Sequence, residues 1–385
     1  MKLLITFYCV VLSSCFSIFG DTEVIKNFNV RVVLDKKIAL EDTICWTLAS
    51  IGGFVLTDRY DPATQELFKV PELTITYRNN ALYINNKRLA RDHIKIDTLD
   101  GQPINFMDHI YQGSFLLIKA HDTMYLINSV DLEEYVFSVL RWESWPGWPI
   151  EVNKAFAITC RTYVVAKVLE SRKKKLLYDI QCTNIHQTYK GTHQFNQVHQ
   201  AVDETRGIIM AHNKKPIIAM YDSCCGGVIP AKLSNIDFVA APYLARDYAC
   251  TYCSGCKLYS WSVNYGIKEF EELMQSEAKK QLTIKDVKVT KKDRAGIVQE
   301  VKIKRGNSWH AVTGKKMYSA LKDIKSLYFS ITYDASTVQF KGRGFGHHVG
   351  MCQWGARQMV KEGWDYKSIL NFYYPKISFM KIEVA

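Results

Sequence analysis

The chain has 385 residues, of which 48% are hydrophobic and 23% are charged; this composition is typical of a folded protein with two or three packed units. Beyond the N-terminus, no run approaches the roughly 18 apolar residues that a membrane helix needs, so no transmembrane span is predicted there. The formal net charge of +12 suits a protein that works beside anionic polymers of the cell envelope. An ordinary solvated surface explains the same charge, so charge alone does not identify a partner.

The first 20 residues have the pattern of an export signal. Lys2 precedes a short apolar run, small residues follow, and Asp21 closes the stretch. Two cleavage sites fit: a lipobox-like segment that ends at Cys15, which would carry a lipid, and a cut after Gly20. The sequence therefore predicts a signal peptide over residues 1–20. It predicts an exported protein, periplasmic or attached to the envelope, that meets the membrane only through this signal or a lipid anchor.

Residues 21–128 are predicted to be mainly β-structure. From Phe28 to Leu34, apolar residues alternate with mostly polar ones, which is the period of a half-buried strand. Apolar runs over 73–77 and 81–84 flank Asn79-Asn80, where asparagine tolerates the positive φ of a turn. This region is therefore expected to form a β-rich unit that leads into the rest of the chain.

Two adjacent helices are predicted next. Asp131 is placed to cap the first helix, with Glu134 completing a capping box, and the proline-rich segment 145–149 ends it. Pro149 is predicted to begin the second helix, which runs to about Ser171. Further helices are expected over 265–284, 315–322 and 353–362, strands over 297–303, 327–331 and 338–340, and short strands and loops over 178–263. Residues 129–385 are therefore predicted to form one mixed α/β unit, and the fold class is α+β.

The segment Trp142-Glu143-Ser144-Trp145-Pro146 contains the best candidate for an acid catalyst. Cleavage of a glycosidic bond needs a proton delivered to the leaving oxygen, and flat aromatic faces suit sugar rings. An exposed glutamate beside core tryptophans would give the same pattern. The segment alone therefore does not decide between a catalytic and a structural carboxylate.

Sequence blocks on both sides of Glu143 resemble, in order, the signature of the SpoIID/LytB family. They comprise Leu126-Ile127-Asn128, Leu132-Glu133-Glu134-Tyr135, Trp148-Pro149, Lys154-Ala155-Phe156-Ala157, Arg161-Thr162-Tyr163, Gln187-Thr188-Tyr189-Lys190-Gly191, Ala201 to Gly207, Tyr221 to Gly227, Ala241-Pro242-Tyr243-Leu244, Gly342 to Ala356 and Tyr373-Tyr374-Pro375. The blocks span about residues 111–375. One departure is Ser144-Trp145-Pro146, where the family carries a Met-Pro, and it bears on substrate fit more than on the acid.

The resemblance implies a role in cell-wall remodelling or division. Members of the family are either peptidoglycan lytic transglycosylases or partners that enhance peptidoglycan amidases. The enzymes cut peptide-stripped glycan strands and leave 1,6-anhydro-muramyl ends, and their catalytic glutamate aligns with Glu143. A single carboxyl group suffices for this reaction, so no cofactor is expected in catalysis.

The resemblance also implies partners and substrate-binding residues. The expected partners are peptidoglycan glycan strands and, in the second role, an amidase. No nucleic acid is expected, because the run Lys173-Lys174-Lys175 suits a solvated helix end. Substrate contacts are expected from the following side chains, of which the last two carry polar groups suited to sugar hydroxyls: Arg161, Tyr163, Gln187, Tyr189, His347 and Gln353.

The cysteines predict a second site. Nine remain after Gly20, an odd number that cannot all pair within one molecule. Cys250, Cys253 and Cys256 give two overlapping C-x-x-C pairs, and Cys225 precedes a Gly-Gly turn. This spacing is typical of zinc ligands, and disulfides in an oxidising compartment are the alternative. Cys225, Cys250, Cys253 and Cys256 are therefore predicted to converge on one structural site.

Cys352 lies in the glycine-rich segment 342–356, beside His347-His348. A Cys–His pair is compatible with a third function, amide cleavage by a thiol nucleophile. Relatives usually carry serine here and cysteines are inert unless activated, so a small structural residue is the favoured interpretation. No Lys-Ser/Thr follows the glycines, so the segment is not predicted to be a phosphate loop.

Overall fold

The computed structural model describes residues 22–25, 28–38, 43–91, 93–145, 147–183, 186–274, 283–334 and 336–384. The predicted signal peptide, including Cys15, lies outside the described residues. Within them the fold is α+β, as predicted, with seven α-helices and 25 strands. No helix in the described part of the chain is long and apolar enough to cross a membrane.

Thirteen strands precede the first helix, so the N-terminal region is β-rich. They are β1 (Thr22–Ile25), β2 (Asn29–Ile38), β3 (Ile44–Ala49), β4 (Phe54–Asp58), β5 (Gln65–Phe68), β6 (Glu72–Arg78), β7 (Ala81–Ile84), β8 (Lys87–Leu89), β9 (His93–Thr98), β10 (Ile104–Phe106), β11 (His109–Tyr111), β12 (Ser114–Ala120) and β13 (Thr123–Asp131). Asn79 and Asn80 have φ of 49° and 56°, as their side chains allow in the β6–β7 turn.

The helices and the later strands follow β13. They are α1 (Leu132–Glu143), α2 (Ile150–Lys173), β14 (Ile180–Gln181), α3 (Asn196–Glu204), β15 (Ile208–His212), β16 (Lys215–Pro216), β17 (Tyr221–Asp222), β18 (Ser260–Gly266), α4 (Ile267–Leu273), β19 (Ile284–Lys292), β20 (Val298–Arg305), β21 (Ser308–Thr313), α5 (Gly314–Ala320), β22 (Phe329–Tyr333), β23 (Thr337–Arg343), β24 (Met351–Cys352), α6 (Gln353–Lys361), α7 (Tyr366–Tyr373) and β25 (Ser378–Val384). Short 3₁₀ turns cover Pro230–Lys232 and Pro242–Leu244.

The two adjacent helices form as predicted. The Asp131 side chain accepts hydrogen bonds from the backbone N–H groups of Glu133 and Glu134 and so caps α1. Pro149 is the cap residue of α2 and not its first helical residue. Most of α2 is buried, because it packs against α1, α3, α7 and β15. α2 is therefore the central helix, and α1 packs against it.

Six sheets surround these helices. Their strand orders are β14-β2-β13-β12-β9-β4-β5, β11-β10-β3-β6-β7-β8, β1-β25-β15-β16, β18-β23-β22, β19-β20-β21 and β17-β24. Most pairs are antiparallel, and the parallel ones are β1–β25, β2–β14 and β17–β24. The β17–β24 pair is short, but it joins Asp222 to Cys352 across 130 residues of chain.

Two large hydrophobic cores and one small cluster (Val33, Leu116, Ile118 and Ile127) organise the described part of the molecule. The larger core extends from Phe28 to Ile382 and includes residues on both sides of position 128, which lies within β13. The smaller core lies between β18, β23, β22 and the β19–β21 sheet. The segment Ser260–Arg343, here called the inserted unit, therefore has a core of its own. Its first and last residues are cross-strand partners in the β18–β23 ladder.

Three helices differ from the sequence prediction. Within the described residues, the helix expected over 265–284 forms as α4, and the two ends of the expected range lie in strands, since β18 extends to Gly266 and β19 begins at Ile284. Helices α3 and α7 were not predicted. In α3 only Val198, Ala201 and Val202 are buried, so its apolar stripe is too thin to stand out from a polar stretch.

Candidate functional site

Glu143 is the last residue of α1, and a cavity of about 320 Å³ opens beside it. The cavity is lined by Arg141, Trp142, Glu143, Ser144, Trp145, Ser223 and Gln353. Glu143 is the single acidic residue among these. The helix ends here because the backbone becomes extended at Ser144, whose hydroxyl donates to Asn153 Oδ1 at 2.9 Å. The half-buried carboxylate therefore lies at a fixed helix end and faces an open space.

Two hydrogen bonds from distant segments hold Glu143. The Thr188 backbone N–H donates to Glu143 Oε1 at 2.6 Å. Gln353 Nε2, from the first residue of α6, donates to the Glu143 carbonyl oxygen at 2.7 Å. Side chain and backbone are thus both anchored, which is the preorganisation that a proton-transfer group needs.

Aromatic rings and cations form the rim of the cavity, which comprises the lining residues Arg141, Trp142 and Trp145 together with Lys190 and Phe195, which contact them. The Trp142 and Trp145 side chains are 42% and 60% exposed, unusually high for tryptophan. The Arg141 guanidinium lies 5.1 Å and the Lys190 ammonium 4.5 Å from the Trp142 ring. Arg141 also lies over exposed Phe195, at 4.4 Å. The rim therefore offers flat apolar faces and positive charge next to one acid.

Gln187 and Tyr189 lie behind the cavity and not on its surface. Gln187 is buried, with Oε1 accepting from the Tyr135 hydroxyl at 3.0 Å. Tyr189 is buried, stacks on Tyr135 at 5.2 Å and donates its hydroxyl to Asn128 Oδ1 at 2.6 Å. Because buried side chains do not reach a glycan strand, the predicted substrate contacts are replaced by a supporting role. The pair fixes the backbone that presents Thr188 to Glu143.

Arg161 is 0% exposed and makes a buried ion pair instead of a substrate contact. Its Nε and Nη2 donate to the Glu133 carboxylate at 2.9 and 2.6 Å. The same guanidinium donates to the carbonyl oxygens of Ile208 and Val202. Glu133 Oε1 also accepts from the Gly207 N–H at 3.0 Å. This corrects the predicted role of Arg161, which joins α1, α2, α3 and β15.

The remaining predicted residues have different positions. Gln353 lines the cavity. Tyr163 is half-buried on α2; burial, then Glu170 and the Glu143 carboxylate, raise its pKa to about 12, so its phenol stays neutral. His347 has an exposed surface, yet the protein packed around its ring, and then His348, lower its pKa to about 4. Neutral at pH 7, its imidazole suits a sugar hydroxyl, although it is not among the described residues that line this cavity.

Three of the four predicted cysteines converge, and the fourth member of the group is Cys352. The Sγ atoms of Cys225, Cys250, Cys253 and Cys352 all lie within 4.8 Å of one another, and all four residues are buried. Cys256 Sγ instead lies 3.6 Å from Cys224 Sγ. Cys352 is 0% exposed, so substrate has no access to its thiol and the Cys–His amidase hypothesis loses its nucleophile.

A family profile described as Stage II sporulation protein (SpoIID) matches residues 120–212, which include α1, α2 and the Thr188 segment. A Stage II sporulation protein D of Bacillus subtilis is 26% identical over 274 residues, covering 64% of this chain and 74% of the relative. The chain belongs to the SpoIID/LytB family. This confirms the resemblance found in the sequence.

Two other relatives and a second profile also match the chain. An uncharacterized protein of Brachyspira hyodysenteriae is 33% identical over 302 residues, 76% of this chain and 78% of the relative. An amidase enhancer of Bacillus subtilis is 23% identical over 277 residues, 60% of this chain and 38% of the relative. A domain of unknown function (DUF8618) matches residues 246–350. Together, the assignment and these relatives support a role related to the cell wall.

Several residues of this SpoIID/LytB site were not found from the sequence. Arg141, Lys190, Phe195 and Ser223 belong to different segments, and none stands in a motif that marks a cavity rim. The sequence favours a small structural residue at Cys352 and assigns it to no ligand group. The signal that finds them is spatial, since Lys190 and Trp142 are 48 residues apart and meet only in the fold.

Replacing Tyr189 by phenylalanine tests the supporting role. The change removes the hydroxyl that donates to Asn128 Oδ1 and leaves a buried acceptor with one partner fewer. The free energy of unfolding is expected to fall by about 1–2 kcal/mol, measured by urea denaturation, with the KM for glycan unchanged. Tyr318→Phe, at an exposed position, is the control and should change neither quantity. A raised KM without lost stability would restore the substrate-contact prediction.

Proposed function

We propose that this chain is a peptidoglycan lytic transglycosylase in which Glu143 is the general acid and base. The observation that carries the proposal is the position of Glu143 as the single acid among the described residues lining a cavity with an aromatic rim. Most hydrolases that cut sugar chains use two carboxyl groups, one of which activates water or attacks the sugar. A cavity with one carboxyl group favours chemistry that needs only one.

The proposed reaction uses Glu143 twice. As a carboxylic acid it protonates the glycosidic oxygen, and the bond from that oxygen to muramyl C1 breaks with its electron pair going to the oxygen. As a carboxylate it then takes the proton from the sugar's own 6-hydroxyl while O6 forms a bond to C1. Glu143 ends protonated, as it began, and no water is consumed. The product carries a 1,6-anhydro-muramyl end.

The positive rim favours peptide-stripped strands as the substrate. When the stem peptide is removed, each muramyl residue carries a free carboxylate on its lactyl group. Arg141 and Lys190 lie over the same Trp142 ring, so a lactyl carboxylate bound beside that ring would lie within reach of both cations. Opposite charges at such distances attract even in solvent, and added salt weakens the attraction.

Removing either rim cation is expected to raise KM and spare kcat. Arg141→Ala and Lys190→Ala should each raise KM for peptide-free glycan about 2- to 5-fold at low salt, because solvent-exposed ionic contacts are worth about 0.2–1 kcal/mol. Initial rates at increasing glycan concentration give the two constants. Lys268→Ala, an exposed lysine of the inserted unit, removes the same charge as a control. If KM is unchanged in both rim variants, the two cations do not bind the glycan.

Mass analysis of digests tests the proposal directly. Purified protein is incubated with peptide-free glycan strands and, separately, with intact peptidoglycan. Anhydro-muramyl ends from the peptide-free strands support the proposal. Products heavier by one water would identify a hydrolase and overturn it.

A second function, enhancement of an amidase, is favoured by one observation, the similarity to the amidase enhancer of Bacillus subtilis. In that case the chain would release no glycan fragments and would instead accelerate a purified peptidoglycan amidase on intact peptidoglycan. Glu143→Gln would leave that acceleration unchanged. Two substrates, peptide-free strands and intact peptidoglycan, together with the variant Glu143→Gln, therefore distinguish the two functions.

A further inference from the structure

We infer that Cys225, Cys250, Cys253 and Cys352 together bind one zinc ion in a closed tetrahedral thiolate site. The four sulfurs lie within 4.8 Å of one another, and the Cys225 and Cys253 Sγ atoms are 3.7 Å apart. Zinc–sulfur bonds of about 2.3 Å in a tetrahedron place the sulfurs about 3.8 Å apart. The spacing in the fold therefore already approximates that of a zinc centre.

The burial and the donor set point to zinc. Four thiolates with no oxygen ligand select zinc over magnesium or calcium, which prefer oxygen. Four protein ligands leave no open position, which is the arrangement of a structural site. All four cysteines are buried, so a bound ion would not meet substrate.

The mutual closeness of the four sulfurs favours a metal over disulfides. Disulfides join sulfurs two by two at about 2.05 Å, and nothing in that geometry brings one pair against the other. Here every sulfur is near the other three. The sulfurs also come from three separate segments: the turn after β17, the C-x-x-C turn, and the cap of α6. One central ion explains the convergence of three segments on a point.

Hydrogen-bond donors surround the sulfurs, as they do in metal thiolate sites. Cys352 Sγ accepts from the backbone N–H groups of Cys225 and Gly355 at 3.3 and 3.4 Å. The buried Tyr373 hydroxyl lies 3.2 Å from Cys250 Sγ. A Cβ atom at Gly355 would lie 2.9 Å from Cys250 Sγ and 2.1 Å from the Tyr373 hydroxyl. The helix start thus requires glycine where the sulfurs approach it.

A buried cation lies beside this sulfur group. Four thiolates around Zn²⁺ carry a net charge of −2, which is costly in a protein interior unless positive charge is near. Arg246 is 1% exposed, and its guanidinium lies 5.7 Å from the ring of Tyr373, which contacts Cys250. The Arg246 guanidinium would therefore offset part of the negative charge of a zinc tetrathiolate.

The ion would hold one wall of the Glu143 cavity. Cys352 directly precedes Gln353, which donates to the Glu143 carbonyl, and the Trp354 N–H donates to the Ser223 carbonyl. Ser223 and Gln353 both line the cavity. Zinc would thus fasten the start of α6 to the β17 segment without taking part in chemistry, and its binding energy would contribute to folding.

Metal analysis of the purified full chain tests the site. About one zinc per chain is expected. Cys225→Ser and Cys352→Ser should each lose most of the metal and lower Tm, whereas Cys256→Ser, the matched control from the same C-x-x-C run, should keep it. Cobalt added after zinc removal should give the near-ultraviolet charge-transfer absorption of a four-thiolate tetrahedral centre. This cobalt measurement on the parental chain decides the matter even if the serine variants fail to fold.

Three results would overturn the inference. They are a folded chain without bound metal that takes up no cobalt, disulfides among these cysteines in non-reducing mass analysis, and zinc that is lost in Cys256→Ser but kept in Cys352→Ser. None of these readouts measures glycan cleavage. The zinc site and the proposed enzymatic function therefore stand or fall separately.

Discussion

Replacing Glu143 by glutamine is expected to lower the rate of cleavage of peptide-free glycan by about 10²–10⁴-fold, the usual loss when a positioned acid is removed. The amide has nearly the shape of the carboxyl group, and its oxygen can still accept from the Thr188 N–H. It has no acidic proton to give to the glycosidic oxygen. Anhydro-muramyl product, quantified by mass spectrometry, should therefore nearly vanish while Tm changes little.

Glu134→Gln is the control for this variant. Glu134 lies on the same helix and is exposed, so the change removes one carboxylate without touching the cavity. It should cleave glycan at the parental rate. If Glu143→Gln also cleaves at the parental rate, the catalytic assignment is wrong and amidase enhancement becomes the better function.

Replacing Glu133 by alanine should destabilise the fold by about 3–5 kcal/mol, since it leaves the Arg161 guanidinium buried without its counter-charge. Arg161 is 0% exposed and lies 2.6 Å from Glu133 Oε2. The substitution also removes the acceptor of the hydrogen bond from the Gly207 N–H to Glu133 Oε1. The free energy of unfolding from urea denaturation is the measurement. Glu134→Ala, the exposed neighbour, should cost well under 1 kcal/mol.

The double variant Glu133→Leu with Arg161→Met separates charge from packing. Replacing both charges by apolar side chains should restore much of the stability that Glu133→Ala loses, because no lone charge remains buried. Recovery should be partial, since the backbone groups of Val202, Gly207 and Ile208 lose their side-chain partners. If Glu133→Ala alone lowers the free energy of unfolding by less than about 1 kcal/mol, the pair is not buried in solution as the structure has it.

Much of the fold could be predicted because its signals are local. The alternation from Phe28 predicts β2, Asp131 marks the start of α1, and Pro149 marks the start of α2 within one residue. The ends of the helix expected over 265–284 could not be predicted, because Tyr265 and Gly266 pair in the β18–β23 ladder and Ile284 pairs in the β19–β20 ladder. Tertiary pairing at these positions overrides helix propensity.

The site could also be predicted only where its signals are local. The sequence could single out Glu143 as a candidate, because acid, tryptophans and prolines are contiguous there, and Glu143 lies at the cavity. Arg161 and Tyr189 could not be assigned correctly, because motif similarity does not separate substrate contact from buried support. Their partners, Glu133 and Asn128, are 28 and 61 residues away. For the cysteines, local C-x-x-C spacing favours Cys256, whereas β17–β24 pairing brings in Cys352 from 127 residues beyond Cys225.

The inserted unit begins and ends at neighbouring positions in the fold. Ser260 and Arg343 are cross-strand partners at one end of the β18–β23 ladder, so the chain leaves the main body and returns to it at nearly the same place. Exchanging the segment for a short turn would close a short gap, which costs little entropy. It would also remove Ile297, which is buried in the larger core, and the bridge between Ser326 and Gly346. Evolution can therefore vary this module most freely in the strands that lie away from the larger core.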